Sequence, residues 1–206
     1  IQVIYSGIDK RFRGTHDIPD VRTRYDLQKP YVLYVGTIEP RKNLHTLLDA
    51  WIALPLEIRQ EDELIFVGPA GWGSDRLMDR IKSGIMGLRV LGYVPEEDLP
   101  AIMPGATLFV YPSFYEGFGF PPAQAMAAGV AVITSDVSAL PEVVGDAGIL
   151  IEPHSALALR NGLYDLLLSP SKREELGSRG RIRAEQFSWA RTAAESVGFF
   201  RRITGS

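Results

Sequence analysis

The sequence predicts an α/β domain, a doubly wound and mainly parallel sheet of Rossmann-like plan. Three observations predict it: six short apolar runs recur along the chain, segments of helical periodicity stand between them, and glycine-containing turns follow several runs. Continuous apolar runs of this length suit strands buried on both faces, and strand–helix alternation implies right-handed crossovers. At 206 residues the chain holds enough material for one domain with a sizeable core.

In chain order, Ile1-Gln2-Val3-Ile4-Tyr5 reads as an extended segment entering from a missing upstream part, and residues 14–30 read as a polar loop or linker. The domain proper is expected over residues 31–187. Its strands are Tyr31-Val32-Leu33-Tyr34-Val35, Leu64-Ile65-Phe66-Val67, Arg89-Val90-Leu91, Leu108-Phe109-Val110-Tyr111, Val130-Ala131-Val132-Ile133 and Gly148-Ile149-Leu150-Ile151. Leu44, Leu47, Leu48, Trp51 and Ile52 fall on one helical face, with Asn43 as a suitable N-cap. Pro121-Pro122 opens a short helix through Ala125, Met126 and Ala128 that Gly129 ends. Ser171-Lys172-Arg173-Glu174 has capping-box spacing for a helix running towards Gln186. Ser188 caps a final helix through Val197 and Phe200, within residues 188–206.

Composition removes several function classes. Hydrophobic residues at 46% and charged residues at 23% describe a globular chain, not a disordered one. A net charge of −3 lacks the basic excess of an electrostatic nucleic-acid binder. With no cysteine there are no disulfides, thiolate metal sites or thiol nucleophiles, which fits a reducing compartment. No apolar run approaches the roughly 18–20 residues that span a bilayer, and no secretory signal pattern is visible. His16, His45 and His154 show no metal-ligand spacing, so no metal site is expected. Arg179, Arg181 and Arg183 read as a solvated charged segment, with anionic lipid as the other reading.

Three constellations sit where a doubly wound sheet binds ligands, just after strands. The first is Gly36-Thr37-Ile38-Glu39-Pro40-Arg41-Lys42-Asn43. Two cations before a helix start, with exposed amides, make a diphosphate-sized site; two solvated surface cations with Glu39 as partner is the alternative. The second is Tyr111-Pro112-Ser113-Phe114-Tyr115-Glu116-Gly117-Phe118-Gly119-Phe120-Pro121-Pro122. Gly117 and Gly119 let backbone N–H groups approach a ligand, and Glu116 beside an anion site suits hydroxyls, hence a sugar. An aromatic turn with an exposed Glu is the plainer reading. The third joins Gly68-Pro69-Ala70-Gly71-Trp72-Gly73 with Gly92-Tyr93-Val94, permissive turns where a base or ribose fits and where Trp72 serves equally as a packing residue. None of these is a dinucleotide G-x-G-x-x-G fingerprint or a P-loop.

Taken together, these residues resemble a known family. From Val3-Ile4-Tyr5-Ser6-Gly7-Ile8-Asp9 to the last helix, the chain is similar to the C-terminal domain of group-1, glycogen-synthase-like retaining glycosyltransferases of the GT-B fold. The strongest parts are residues 35–44, Leu91-Gly92-Tyr93-Val94 and Pro112 to Gly119 with Gly129, Val132 and Ile133. The resemblance implies catalytic roles for Arg41, Lys42 and Glu116. Arg41 and Lys42 would neutralise the diphosphate, and Glu116 would hold sugar hydroxyls. Gly36, Thr37, Gly71, Tyr93, Val94, Ser113, Gly117, Phe118, Gly119 and Gln124 would line the donor site, the N–H groups of Phe118 and Gly119 meeting the distal phosphate or sugar and the backbone near Tyr93 and Val94 the base.

The chain departs from the family pattern at two places. Gln124 stands where a second Glu is usual, and still offers ribose hydroxyls a donor and an acceptor. Thr37 stands where many members carry Arg, so phosphate binding leans on Arg41 and Lys42. The substrate implied is a nucleotide-sugar donor, GDP-mannose ahead of a UDP-sugar, with no separate cofactor and no metal. The implied partner is a missing N-terminal acceptor-binding domain, onto which the last helix would pack, leaving Phe199 and Phe200 partly exposed here. A carbohydrate or lipid-linked acceptor, a cytoplasmic location and peripheral membrane contact through the full-length enzyme complete the expectation. A nucleotide-sugar-binding module without catalysis and a nucleotide-sugar epimerase remain as other readings, though epimerisation needs more acids and bases than Glu116 alone.

Overall fold

The computed structural model describes residues 1–13 and 18–204. After a short 3-10 turn at Lys10–Arg13 come α1 (Ile18–Arg24), β1 (Tyr31–Val35), a 3-10 turn at Pro40–Lys42, α2 (Leu44–Ile52), α3 (Leu56–Glu61), β2 (Glu63–Val67), α4 (Asp75–Lys82), β3 (Leu88–Gly92) and α5 (Leu99–Ile102). Then follow β4 (Leu108–Tyr111), α6 (Phe120–Ala127), β5 (Val132–Ser135), α7 (Leu140–Val144), β6 (Ile149–Ile151), α8 (Ala156–Leu168), α9 (Pro170–Ala184) and α10 (Trp189–Thr204).

The six strands form one sheet in the order β3-β2-β1-β4-β5-β6, every neighbour parallel. The expected doubly wound α/β plan is therefore present. Every residue of β1 and β4 is buried, as the unbroken apolar runs require of strands covered on both faces. Winding runs outward from β1 to β3, then returns beside β1 to begin β4. That return creates a switch point, where the loops after β1 and β4 part to opposite faces and leave a crevice.

Helix α2 packs on α8, and α6 on α9. The ends of β1 and β2 come so close that a Cβ on Gly68 would strike the Gly36 carbonyl. Beyond the strands, the Ile38 N–H donates to the Pro69 carbonyl and the Gly71 N–H to the Ile38 carbonyl, each at 2.9 Å, so the two loops continue the sheet.

Several local expectations are corrected. The stretch 14–30 contains α1, so it is not loop throughout; residues 14–17, with His16, lie outside the described residues. Ile52 is exposed and Ala50 takes a buried place on α2 instead. Helix α9 starts at Pro170, before the capping-box serine, because proline at a first helical position needs no N–H partner. Ser188 does cap α10, its hydroxyl accepting from the Arg191 N–H at 3.2 Å. None of the residues of α10 is buried, and Phe200 is 60% exposed. Arg183 is not simply solvated, since it donates to the carbonyls of Glu142 and Val143.

Candidate functional site

The two strongest sequence motifs flank the switch point. The turn after β1 carries Arg41 and Lys42, and the loop between β4 and α6 carries Glu116 and the glycines. Together they line a cavity of about 640 Å³ with Gly36, Thr37, Glu39, Tyr111, Gly117, Phe118, Gly119, Phe120 and Pro121.

Lys42 is no surface cation: it is only 7% exposed. Its ammonium donates to the Tyr111 hydroxyl at 2.6 Å and to Glu116 Oε1 at 2.7 Å. Arg41 reaches the same Glu116 oxygen at 2.9 Å, the Tyr115 carbonyl at 2.6 Å and Glu39 at 2.7 Å. Burial alone would raise the Glu116 pKa, but the Lys42 hydrogen bond and the two positive charges outweigh it and hold the carboxyl below its ordinary value. Burial pushes the Tyr111 phenol well above its ordinary value, with the Glu116 charge adding to the effect, so the phenol keeps its proton.

The main chain supplies donors. The N–H groups of Gly117, Phe118 and Gly119 find no acceptor among the described residues. Gly119 precedes α6 with φ 102°, and a Cβ there would come within 2.8 Å of the Leu140 side chain, so glycine is the residue the loop requires. Pro121 and Pro122 have no N–H, which concentrates the free donors of this helix start on the glycine loop. The Glu116 N–H donates to the Ser138 hydroxyl at 2.9 Å. Ser138 adopts φ 54°, an uncommon conformation for a non-glycine residue.

A second cavity, of about 310 Å³, meets the first at Gly36 and Thr37. Its walls are Val35, Val67, Gly68, Pro69, Tyr93, Val94, Glu96 and Leu99, largely apolar. An apolar slot joined to an amide-lined crevice with two ion-paired cations is chemically able to take a base beside a diphosphate.

Most of the anticipated residues come together here, and two do not. Ser113 is fully buried and lines neither cavity, but its hydroxyl stands against the Tyr111 and Glu116 side chains and acts to lower both pKa values. Gly71 has its N–H engaged by Ile38, and its missing Cβ makes room for the Thr37 methyl. Gln124 is half-buried on α6 and lines neither cavity. Trp72 is 72% exposed, so it is not a packing residue, and His154 lies against the Phe114 ring at 4.8 Å. Tyr111, Ser138 and Glu96 were not singled out from the sequence. Tyr111 had a signal, as the last residue of a strand opening onto the crevice; Ser138 and Glu96 had none.

Comparison with known proteins gives this arrangement a family. Residues 19–183 match the profile described as "Glycosyl transferases group 1". The chain belongs to that family. It is 44% identical over 175 residues to O-antigen chain mannosyltransferase B of Escherichia coli, covering 84% of this chain and 46% of that protein. It is 31% identical over 195 residues to the serotype-specific mannosyltransferase WbdA of Escherichia coli, covering 92% of this chain and 24% of that one. Among solved structures, sucrose-phosphate synthase from Thermosynechococcus elongatus superposes with TM-score 0.85 at 28% identity, over 99% of this chain and 53% of that chain. HepE of Anabaena, solved with UDP-glucose, superposes with TM-score 0.83 at 22% identity, over all of this chain and 57% of that one, a likeness of fold. The chain therefore spans between 24% and 57% of the length of these proteins. No helix among its described residues is long and apolar enough to cross a membrane.

Proposed function

We propose that this domain is the donor-binding half of a mannosyltransferase, holding GDP-mannose while a second domain presents a carbohydrate or lipid-linked acceptor. The observation that carries the reading is the Arg41–Lys42–Glu116 cluster at the switch point, opposite a glycine loop with unengaged N–H groups. Support for mannose comes from the mannosyltransferases that this chain resembles, and guanine follows as the base of the common activated mannose.

On this reading the diphosphate lies between Lys42, Arg41 and the amides of Gly117, Phe118 and Gly119, with the base in the apolar slot beside Tyr93 and Val94. Transfer breaks the bond between the sugar C1 and the distal phosphate oxygen, which keeps the electron pair. A new bond forms from C1 to an acceptor hydroxyl oxygen, whose proton passes to the departing diphosphate, with retained anomeric configuration. Lys42 has three ammonium protons and uses two within the protein, leaving one for the phosphate oxygen on which charge develops. Stabilising that charge with donors fixed beforehand is often the largest catalytic contribution. Side-chain cations then serve the leaving group without a divalent ion.

Calorimetric titration of the chain with GDP, UDP and ADP tests the reading, followed by GDP-mannose. Saturable binding of GDP in preference to the others is expected. Preference for UDP or ADP would move the donor assignment, and no binding by any of them would reject the donor-site reading.

A further inference from the structure

Asn43 breaks a local rule. It occupies the N-cap position of α2, where an Asn side chain normally accepts from the first free helical N–H groups and stabilises the helix by about 1 kcal/mol. Here it makes no such bond. It is also 3% exposed and held at φ 57°, a left-handed conformation that Asn tolerates better than most residues. Its amide nitrogen instead donates to two carbonyls, Pro112 at 3.0 Å and Pro153 at 2.6 Å, while its oxygen accepts from the Thr46 hydroxyl at 2.6 Å. One side chain thus ties the turn after β1 to the loops after β4 and β6.

The place of these ties matters more than their number. Lys42 lies between Asn43 and Arg41. On the Arg41 side, the Arg41 carbonyl accepts from the Phe114 N–H at 2.9 Å. On the Asn43 side, the amide reaches Pro112. The backbone that carries Lys42 is therefore stitched on both flanks to the loop that carries Glu116. Without the second stitch, only the Arg41 flank would tie this turn to the Glu116 loop, and the four-carbon side chain would have to keep the ammonium at 2.7 Å from the carboxylate from a backbone held on one side.

We propose that Asn43 is a positioning residue that gives up helix capping to hold Lys42 against Glu116. Its ligand-free consequence does not depend on the donor-site reading; only its effect on nucleotide affinity rests on that reading.

The first arm follows the Glu116 carboxyl by 13C NMR through an acid titration of the ligand-free chain. Asn43→Gly keeps the left-handed backbone and removes the ties. Glu116 should then titrate higher than in the wild type, in the same direction as in Lys42→Ala, and Asn43→Gly should add no further shift in the Lys42→Ala background. A merely structural role would lower Tm and leave the Glu116 titration unchanged, which overturns the proposal. Asn43→Ser, which retains one donor, serves the same comparison should the glycine variant fail to fold. The second arm measures GDP affinity, expected to fall about tenfold in Asn43→Gly, the size of a lost hydrogen bond, and to fall no further on the Lys42→Ala background. Additive losses would overturn the proposal. If the wild-type chain binds none of GDP, UDP and ADP, the donor-site reading fails and the NMR arm still decides the role of Asn43.

Discussion

Replacing Lys42 by alanine should separate two roles of one side chain. Lys42 stabilises the fold by satisfying Glu116, and on the proposed reading it also binds the diphosphate. A buried ion pair broken from one side costs about 3–5 kcal/mol when the remaining charge has no other partner. Glu116 keeps Arg41 at 2.9 Å, so the expected loss is nearer to one hydrogen bond to a charged group, about 2 kcal/mol. In a domain of this size that lowers Tm by roughly 4–8 °C. The same magnitude lost from binding weakens GDP by about ten- to a hundred-fold. Adding Glu116→Gln removes the under-compensated charge, so Lys42→Ala with Glu116→Gln should regain much of the Tm and none of the affinity. Thermal unfolding and calorimetry on the wild type and the two variants check this. The reasoning fails if Lys42→Ala binds GDP within about twofold of the wild type. It fails equally if the second substitution restores binding along with stability.

Two further expectations follow from the same geometry. The depressed Glu116 pKa contributes stability that is present above its unfolded value, about 4.3, and lost as pH falls through its folded value. The Tm advantage of the wild type over Glu116→Gln should therefore shrink as pH falls from about 5 to about 3, and a constant gap would mean that the pairing is not electrostatic. Phe200 is exposed on a helix with no buried residue. Phe200→Asp should change the stability of this chain by less than about 0.5 kcal/mol, yet destabilise a two-domain enzyme if α10 packs on the second half. Equal effects in both proteins would reject that packing.

The sheet was legible because buried parallel strands need continuous apolar runs, and runs such as Tyr31 to Val35 and Leu108 to Tyr111 have no competing period. The glycine loop and the Arg41-Lys42 turn were legible for a related reason, since residues that follow strands fall at the ligand-binding edge whatever the details. What the chain order could not reveal was partnership across it. Lys42 and Glu116 meet only because β1 and β4 lie side by side after a crossover through β2 and β3, a return of 74 residues. Asn43 was misjudged for the same reason: local rules make it a cap, and its real partners stand 69 and 110 residues away. Helix α1 was missed because its short, polar stretch carries little apolar periodicity. Ile52 was assigned to a buried face because the period fitted, although its helix was already ending there.

The ligand-free crevice is electrically closed, and this bears on what a donor meets there. Arg41 and Lys42 are matched by Glu39 and Glu116, two charges against two. A diphosphate therefore does not arrive at bare positive charge, and attraction of the cations alone cannot account for its binding. What remains open to it are the third ammonium proton of Lys42 and the main-chain N–H groups of Gly117, Phe118 and Gly119, which carry no counter-charge. Those donors are fixed by the loop and cost little reorganisation when charge grows on the departing oxygen. A carboxylate held on the same ammonium also limits how tightly the free diphosphate is retained. On the proposed reading, the pairing of Glu116 with Lys42 thus serves turnover twice. It keeps the cation rigid while the bond breaks, and it lets the product leave afterwards.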